Sequence, residues 1–179
     1  MANWTIAYNW MMNFEDAPRD CAQVPDASPC GVDGPCFAIS GINSGAWPAE
    51  FAAIAALPQS EREPLVQQFY QNHFWNNWYA QVESDDLCKR VFDFAVNGGS
   101  GTAVRCLQRA VNSLAGDGAA QLIDDGEWGP MTLGAVNAAD PAAMTTAFQA
   151  ARVAHYQAIV AANPADAQYL PQWLARARM

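Results

Sequence analysis

Apolar residues recur along the chain at helical spacing, and turn residues separate them. Ile6, Trp10 and Phe14 stand four residues apart, which predicts a helix with these residues on its apolar face. We expect that helix to end near Glu15, because Pro18 follows shortly. Capping residues and prolines predict further helix starts at Pro48, Ser60 (a capping box with Glu63), Ser84, Ser100, Pro130 and Pro141, with a short last helix around 170–174. The pattern predicts an all-α fold of about seven to nine helices.

Two regions depart from this helical pattern. Residues 17–36 are rich in Pro, Gly, Asp and Cys without any period, so we predict a long irregular loop there. A small β-hairpin within residues 20–40 is the alternative. Near residue 84 the composition changes from aromatic-rich to Ala-rich. We therefore predict a lobe over 1–83 and a second helical lobe over 84–179, joined without a linker as one compact unit.

Composition excludes several functional classes. The net charge is −9, and Lys89 is the one lysine, which argues against a phosphate-tracking nucleic-acid binder. No apolar run reaches the length that spans a bilayer, so we expect no membrane insertion. The first five residues lack the basic and apolar regions of a secretory signal, from which we expect a cytoplasmic product without its own export signal.

The cysteines leave two readings open. Cys21, Cys30 and Cys36 fall in the loop, whereas Cys88 and Cys106 fall in helical patterns. One or two disulfides could form in an oxidising space, or all five thiols could stay reduced, with those in helices serving as core residues. We expect the protein to be a monomer, in which the odd number of cysteines leaves at least one thiol free. The spacing does not favour zinc, and we expect no metal and no cofactor.

Four features could carry chemistry, and each has an ordinary structural explanation. Glu15 closes an apolar helix beside a polar loop and is a candidate general acid, or a solvated glutamate. Asp93 and Asn97 share a helix face in an apolar run, where they tie the core together or face a ligand. The segment Asp125–Thr132 is a turn leading into a helix. The remaining feature is an aromatic cluster interleaved with amides, which suits sugar rings or simple core packing: Phe74, Trp75, Trp78 and Tyr79 with Asn72, Asn76 and Asn77.

In chain order these segments resemble glycoside hydrolase family 108, the phage and bacterial N-acetylmuramidases with a C-terminal peptidoglycan-binding region. The segment Phe92–Asn97, Phe-Asp-Phe-Ala-Val-Asn, resembles the corresponding segment of that family at every position. The Asp125–Thr132 turn resembles the Asp-Gly-x-x-Gly-Pro-x-Thr signature of peptidoglycan-binding folds. The other segments that carry the resemblance are 13–17, 37–40, 73–75, 103–110 and 173–176.

The resemblance implies a lysozyme-like helical fold that hydrolyses the β-1,4 bond between N-acetylmuramic acid and N-acetylglucosamine. Glu15 would be the general acid. A second carboxylate would come from Asp20, Asp26 or Asp33, of which Asp33 is favoured because it precedes Gly34 near the Phe37 segment. Phe37, Ser40, Trp75, Tyr79 and Asn97 would line the saccharide cleft, and Asp93 would hold the cleft helix in place.

The resemblance also suggests a biological setting. The lack of an export signal fits a phage endolysin, which is made in the host cytoplasm and reaches the cell wall through a partner pore, a holin. It fits equally a bacterial muramidase with a special route of secretion, and in both cases the binding partner is bacterial peptidoglycan. Three alternatives stay open. One is a lytic transglycosylase, another is a peptidoglycan-binding protein without catalysis, and the third is a non-enzymatic phage structural or inhibitory protein.

Overall fold

The computed structural model describes residues 1–26, 35–116 and 120–179. Over these ranges the chain is mostly α-helical, which confirms the predicted all-α class. The helices found in them are α1 (Trp4–Glu15), α2 (Pro48–Ala55), α3 (Glu63–His73), α4 (Asn77–Gln81), α5 (Asp85–Gly98), α6 (Ser100–Leu114), α7 (Pro130–Ala138), α8 (Pro141–Ala162) and α9 (Leu170–Arg178).

A small antiparallel sheet accompanies the helices. Its strands, in spatial order, are β1 (Gln23–Asp26), β2 (Cys36–Ile39) and β3 (Ile42–Asn43). The β1–β2 pair lies in the segment where a hairpin was the alternative to a loop, with Gln23 opposite Ile39. Ser40 and Gly41 connect β2 to β3, and both have positive φ, 48° and 80°. Two such residues make the tight turn that matches the twist of a hairpin.

The chain divides into two compact units. The N-terminal unit is residues 4–76, and the C-terminal unit is residues 77–179 together with 1–3. This division falls before the boundary predicted at residue 84. Each unit has its own buried residues, and they are described separately below.

The buried face of α1 differs from the one predicted. Its buried residues are Ala7, Tyr8, Met11 and Met12. Ile6 is 42% exposed, and Trp10 and Phe14 are half-buried. The prediction was wrong because α1 is apolar on most of its circumference. A spacing of four residues therefore matches more than one of its faces.

Helix starts were predicted well where a side chain or a proline begins the helix. Ser84 caps α5 by accepting the Leu87 N–H at 3.2 Å, and Asp140 caps α8 by accepting the Ala143 N–H at 2.8 Å. The capping box at Ser60 was wrong, because a 3₁₀ turn occupies Gln59–Glu61 and α3 begins at Glu63. Pro64, which lacks an N–H, is favoured in that first turn. Ser100 is the first residue of α6 and not its cap.

The cysteines combine the two readings left open by the sequence. Cys88 and Cys106 are buried free thiols, and burial raises their pKa to about 12 and about 11, respectively. They are inert core residues, as expected for cysteines in helices. Cys21 is also free and buried, whereas Cys36 is disulfide-bonded. Cys30 lies outside the described residues.

A further result concerns membranes. Among the helices of the described residues, none has the length and apolar character needed to cross a bilayer.

Candidate functional site

Glu15 borders a cavity of about 370 Å³ in the N-terminal unit. As the last residue of α1, it stands where the helix gives way to the loop before β1. Its side chain is half-buried. The cavity is lined by Glu15, Asp16, Ala17, Pro18, Asp20, Ala22, Val24, Ala38, Ser40 and Gly41. The end of a helix, a loop and two strands thus place a carboxyl group at the wall of an open space.

Asp16, directly after Glu15, fixes the wall of this cavity. One oxygen of its buried carboxylate, Oδ2, accepts the Ser40 hydroxyl at 2.7 Å and the Cys21 N–H at 2.9 Å. The Tyr70 hydroxyl in turn donates to the Ser40 carbonyl oxygen at 2.7 Å. Buried hydrogen-bonded chains of this kind hold a local geometry because each broken link leaves a polar group without a partner. These hydrogen bonds therefore join the end of α1 to the β2–β3 turn and to α3.

Gly41 lets the β2–β3 turn approach Glu15 closely. A Cβ added there would lie 2.7 Å from Glu15 Oε2 and 2.7 Å from the Tyr70 hydroxyl oxygen. Its φ of +80° is also a conformation that residues with side chains rarely adopt. The carboxyl of Glu15 therefore packs against bare backbone, and a larger residue would displace it.

The loop after α1 is fastened on its other side to the start of α3. Glu63 accepts the Arg19 guanidinium at 3.1 Å, the Tyr8 hydroxyl at 3.0 Å and the Cys21 thiol at 3.3 Å. Partial burial raises the pKa of Glu63, but hydrogen bonds from Gln67, Cys21 and Tyr8 and the charge of Arg19 outweigh it, so the pKa is lowered overall. Glu63 is therefore an ionised anchor for the loop.

Two further contacts act at the same junction. The Asp20 carbonyl accepts Gln59 Nε2 at 3.0 Å, and the Cys21 carbonyl accepts Arg62 Nη1 at 3.0 Å. Arg19 and Cys21 have positive φ, 57° and 51°. Since such backbone is costly for residues with side chains, the contacts with Gln59, Arg62 and Glu63 stabilise a strained loop beside Glu15.

The three candidates for the second carboxylate have different surroundings. Asp20 lines the same cavity as Glu15, and its Oδ1 accepts the Ala22 N–H at 3.0 Å. Asp26 Oδ2 accepts the Asn43 side-chain amide at 2.6 Å across the sheet. Asp33, the favoured candidate, lies outside the described residues, so its assignment stays a prediction.

The residues predicted to line a saccharide cleft fall in both units. Phe37, Ser40 and Trp75 belong to the N-terminal unit. Ser40 lines the Glu15 cavity, Phe37 is half-buried in β2, and the ring of Trp75 packs edge-on against Trp4 at 5.4 Å.

The other predicted cleft residues belong to the C-terminal unit, and there Tyr79 requires a correction. Its side chain is 0% exposed and packs edge-on against Phe92 and Trp128, so it offers no surface to a saccharide. An aromatic residue next to amides in the sequence can face either solvent or the core, and the sequence pattern is the same in both cases. The ring of Tyr79 is a core residue. Asn97 is exposed, and its Oδ1 accepts the Tyr156 hydroxyl at 2.6 Å.

Asp93 has the contacts of a structural tie. It is buried, and its carboxylate accepts Arg152 Nη2 at 3.2 Å and Arg176 Nη2 at 2.7 Å. Arg152 is also buried, with its guanidinium 4.8 Å from the Phe94 ring centre. One carboxylate of α5 thereby joins α8 and α9. These contacts match the structural alternative for Asp93, that of tying the core together, whereas its predicted role in holding the helix of a saccharide cleft stays a prediction.

The Asp125–Thr132 turn is built around Gln108, which our reading of the sequence did not single out. Gln108 is 2% exposed. Its Nε2 donates to Asp125 Oδ1 at 2.8 Å, and its Oε1 accepts the Gly126 N–H at 3.0 Å. The sequence signal is a polar residue in the apolar stripe of α6, between Leu107 and Ala110. Such a residue needs buried partners.

The described part of the chain contains no group of three or more His, Cys, Asp or Glu side chains that could hold a metal ion.

Part of the chain matches a known protein family. Residues 102–178 match a family model described as "Predicted Peptidoglycan domain". The matched region lies in the C-terminal unit and includes Gln108 and the Asp125–Thr132 turn. It supports association with peptidoglycan, the partner expected from the sequence. No curated protein matches the chain.

Proposed function

We propose that the protein is a peptidoglycan hydrolase that cleaves the β-1,4 bond between N-acetylmuramic acid and N-acetylglucosamine, with Glu15 as general acid. The observation that carries this proposal is the position of Glu15 at a cavity whose wall is held by Asp16, Ser40 and Tyr70. The peptidoglycan match over residues 102–178 supports the choice of substrate.

In the proposed reaction, protonated Glu15 gives its proton to the glycosidic oxygen as the bond to the muramic acid anomeric carbon breaks. Water supplies the hydroxyl that this carbon gains. A second carboxylate either activates that water or attacks the carbon first, and its distance from the acid determines which. Asp20, Asp26 and Asp33 are the candidates for this role. Asp20 has the support of lining the same cavity.

We further propose the setting of a phage endolysin. The protein would be made in the host cytoplasm, would reach the wall through a holin, and would act as a monomer. Its net charge of −9 disfavours attraction to anionic wall polymers, so binding would depend on local contacts more than on long-range charge.

The test is digestion of purified peptidoglycan by the wild type and by Glu15→Gln, with mass spectrometry of the soluble products. We expect reducing muramic acid ends from the wild type and about a hundredfold less from the variant, since a general acid contributes ~10²–10⁴ in rate. The matched control is Glu61→Gln, which removes an exposed carboxylate of the same unit and should leave the yield unchanged.

Other outcomes would contradict the proposal. Anhydro ends would indicate a lytic transglycosylase, which needs no second carboxylate. Asp20→Asn, Asp26→Asn and Asp33→Asn would then all stay active. Binding by the wild type and by Glu15→Gln without any release would indicate a wall-binding protein. The absence of both binding and release would favour a structural or inhibitory role.

A further inference from the structure

A second cavity, of about 360 Å³, opens at the Asp125–Thr132 turn of the C-terminal unit. Two aliphatic side chains at its edge are almost fully exposed, Ile123 at 78% and Met131 at 76%. Two carboxylates, Asp125 and Glu127, also line it. Large exposed apolar side chains beside a concave surface are characteristic of a binding site.

The turn that forms this cavity is tied to α6 by hydrogen bonds of the buried Gln108 side chain. Besides Asp125 and Gly126, Gln108 binds Thr132, whose Oγ1 accepts its Nε2 at 3.3 Å. Gly126 has φ +79°, and a Cβ there would lie 2.7 Å from the Gly101 carbonyl oxygen. The turn is thus fixed on α6, and a ligand would meet a preformed surface.

The edge of this cavity is negatively charged. Arg109 is engaged by Asp124 at 2.7 Å, and the Arg105 guanidinium donates to the Asp125 carbonyl oxygen at 3.1 Å. Hydrogen bonds from Gln108 and from the Glu127 N–H lower the pKa of Asp125, so this carboxylate stays ionised at neutral and mildly acidic pH. A cationic group would therefore be attracted to the cavity.

We propose that this cavity binds the stem peptide of peptidoglycan, with a side-chain ammonium of the peptide beside Asp125 and Glu127. Methyl groups of the peptide's alanines would pack against Ile123 and Met131. The inference rests on the peptidoglycan association in the proposed function. It states that the C-terminal unit binds the peptide of peptidoglycan and not its sugar strand.

The surface favours peptide over glycan for two reasons. The sugar strand has no cationic group and is usually held by open aromatic faces and amides, whereas this edge offers aliphatic side chains and carboxylates. Trp128 also lines the cavity, but its ring packs edge-on against buried Tyr79 at 5.6 Å. The stem peptide supplies both the methyl groups and the ammonium that the edge matches.

The test is a titration of the ¹⁵N-labelled full chain with the tetrapeptide N-acetyl-L-Ala-γ-D-Glu-L-Lys-D-Ala, followed by NMR. The N-terminal amine is blocked, as it is in the wall, so that the lysine side chain supplies the one ammonium. We expect chemical-shift changes centred on residues 122–132. Acetylation of the lysine amine should raise the Kd about two- to fivefold, the range for an exposed ion pair. Added salt should also weaken binding of the free amine.

Two variants test the two kinds of contact, each with a matched control. Glu127→Gln should raise the Kd about two- to fivefold for the free amine and leave it unchanged for the acetylated peptide. Glu61→Gln, in the other unit, should leave the Kd of both peptides unchanged. Met131→Ala should weaken both peptides, whereas Leu114→Ala, at another exposed apolar residue of the same unit, should weaken neither.

Several results would overturn the inference. These are equal binding of the free and acetylated peptides, shifts that fall elsewhere, or shifts at 122–132 caused only by the disaccharide N-acetylglucosaminyl-N-acetylmuramic acid. The readout is separate from catalysis. Peptide binding without release of wall fragments would contradict the hydrolase alone, and release without peptide binding would contradict this inference alone.

Discussion

At the residue scale, the position of the Glu15 carboxyl depends on how closely bare backbone approaches it. Gly41 is the second residue of a two-residue turn, and its missing side chain leaves room for Glu15 and Tyr70. Ser40, just before it, is tied to Asp16. Gly41, Ser40 and Asp16 together therefore shape the surroundings of the Glu15 carboxyl.

We predict that Gly41→Ala destabilises the protein by about 1–2 kcal/mol, the cost of left-handed backbone for a residue with a side chain. The new methyl group would also displace Glu15, and misplacement of a catalytic group by about 1 Å can cost about a hundredfold in rate. Thermal denaturation and peptidoglycan digestion measure the two effects.

The control is Gly134→Ala in α7, where an added Cβ meets nothing within 4 Å. There we expect a gain of about 0.4–1 kcal/mol, because alanine loses less entropy in a helix. Equal behaviour of the two variants would contradict the role given to Gly41.

At the element scale, single carboxylates join segments that are distant in sequence. Glu63 at the start of α3 fastens the loop after α1, and Asp93 in α5 joins α8 and α9. The sequence indicated Asp93, because a charged residue stood in an apolar run. It did not indicate this role of Glu63, which the sequence predicted to be the partner of Ser60 in a capping box.

We predict that Glu63 makes the N-terminal unit sensitive to acid. Its folded-state pKa is below the ordinary value of 4.5, so its stabilisation is full above that pH and is lost as the pH falls through the folded-state pKa. Glu63→Gln should therefore be less stable than the wild type at neutral pH, and the difference should shrink below about pH 4.

Denaturation midpoints measured from pH 7 to pH 3 test this prediction. Tyr8→Phe removes one hydrogen-bond donor to Glu63. Its loss of stability at neutral pH should be smaller than that of Glu63→Gln and should also shrink as the pH falls. A constant difference between Glu63→Gln and the wild type at every pH would show that Glu63 does not act through its charge.

For Asp93 we predict a large effect on stability. Asp93→Ala leaves the guanidinium of Arg152 buried without its carboxylate, which costs about 3–5 kcal/mol. Asp124→Ala removes an exposed ion pair with Arg109 in the same unit and should cost no more than about 1 kcal/mol. Urea denaturation followed by circular dichroism compares the two, and similar losses would contradict the structural role of Asp93.

At the scale of the whole molecule, the helices were predictable because their ends have local causes. Ser84, Asp140 and the prolines of α7 and α8 act through contacts within one turn. The turn at Asp125 was also visible, since its residues are adjacent in sequence.

What escaped prediction depends on contacts between distant segments. The buried face of α1 could not be chosen, because most of that helix is apolar. Tyr79 could not be told from a surface aromatic residue. The links from Ser40 to Asp16 and from Glu63 to Cys21 join residues 24 and 42 positions apart, respectively, for which the chain has no local signal.

The measurement that tests the central claim most directly is digestion of peptidoglycan in ¹⁸O-labelled water, with mass spectrometry of the muramic acid ends. We predict one ¹⁸O at each new reducing end for the wild type, and about a hundredfold fewer such ends for Glu15→Gln. An unlabelled digest moved into labelled water corrects for exchange. Unlabelled anhydro ends, or equal labelling by both proteins, would contradict the account.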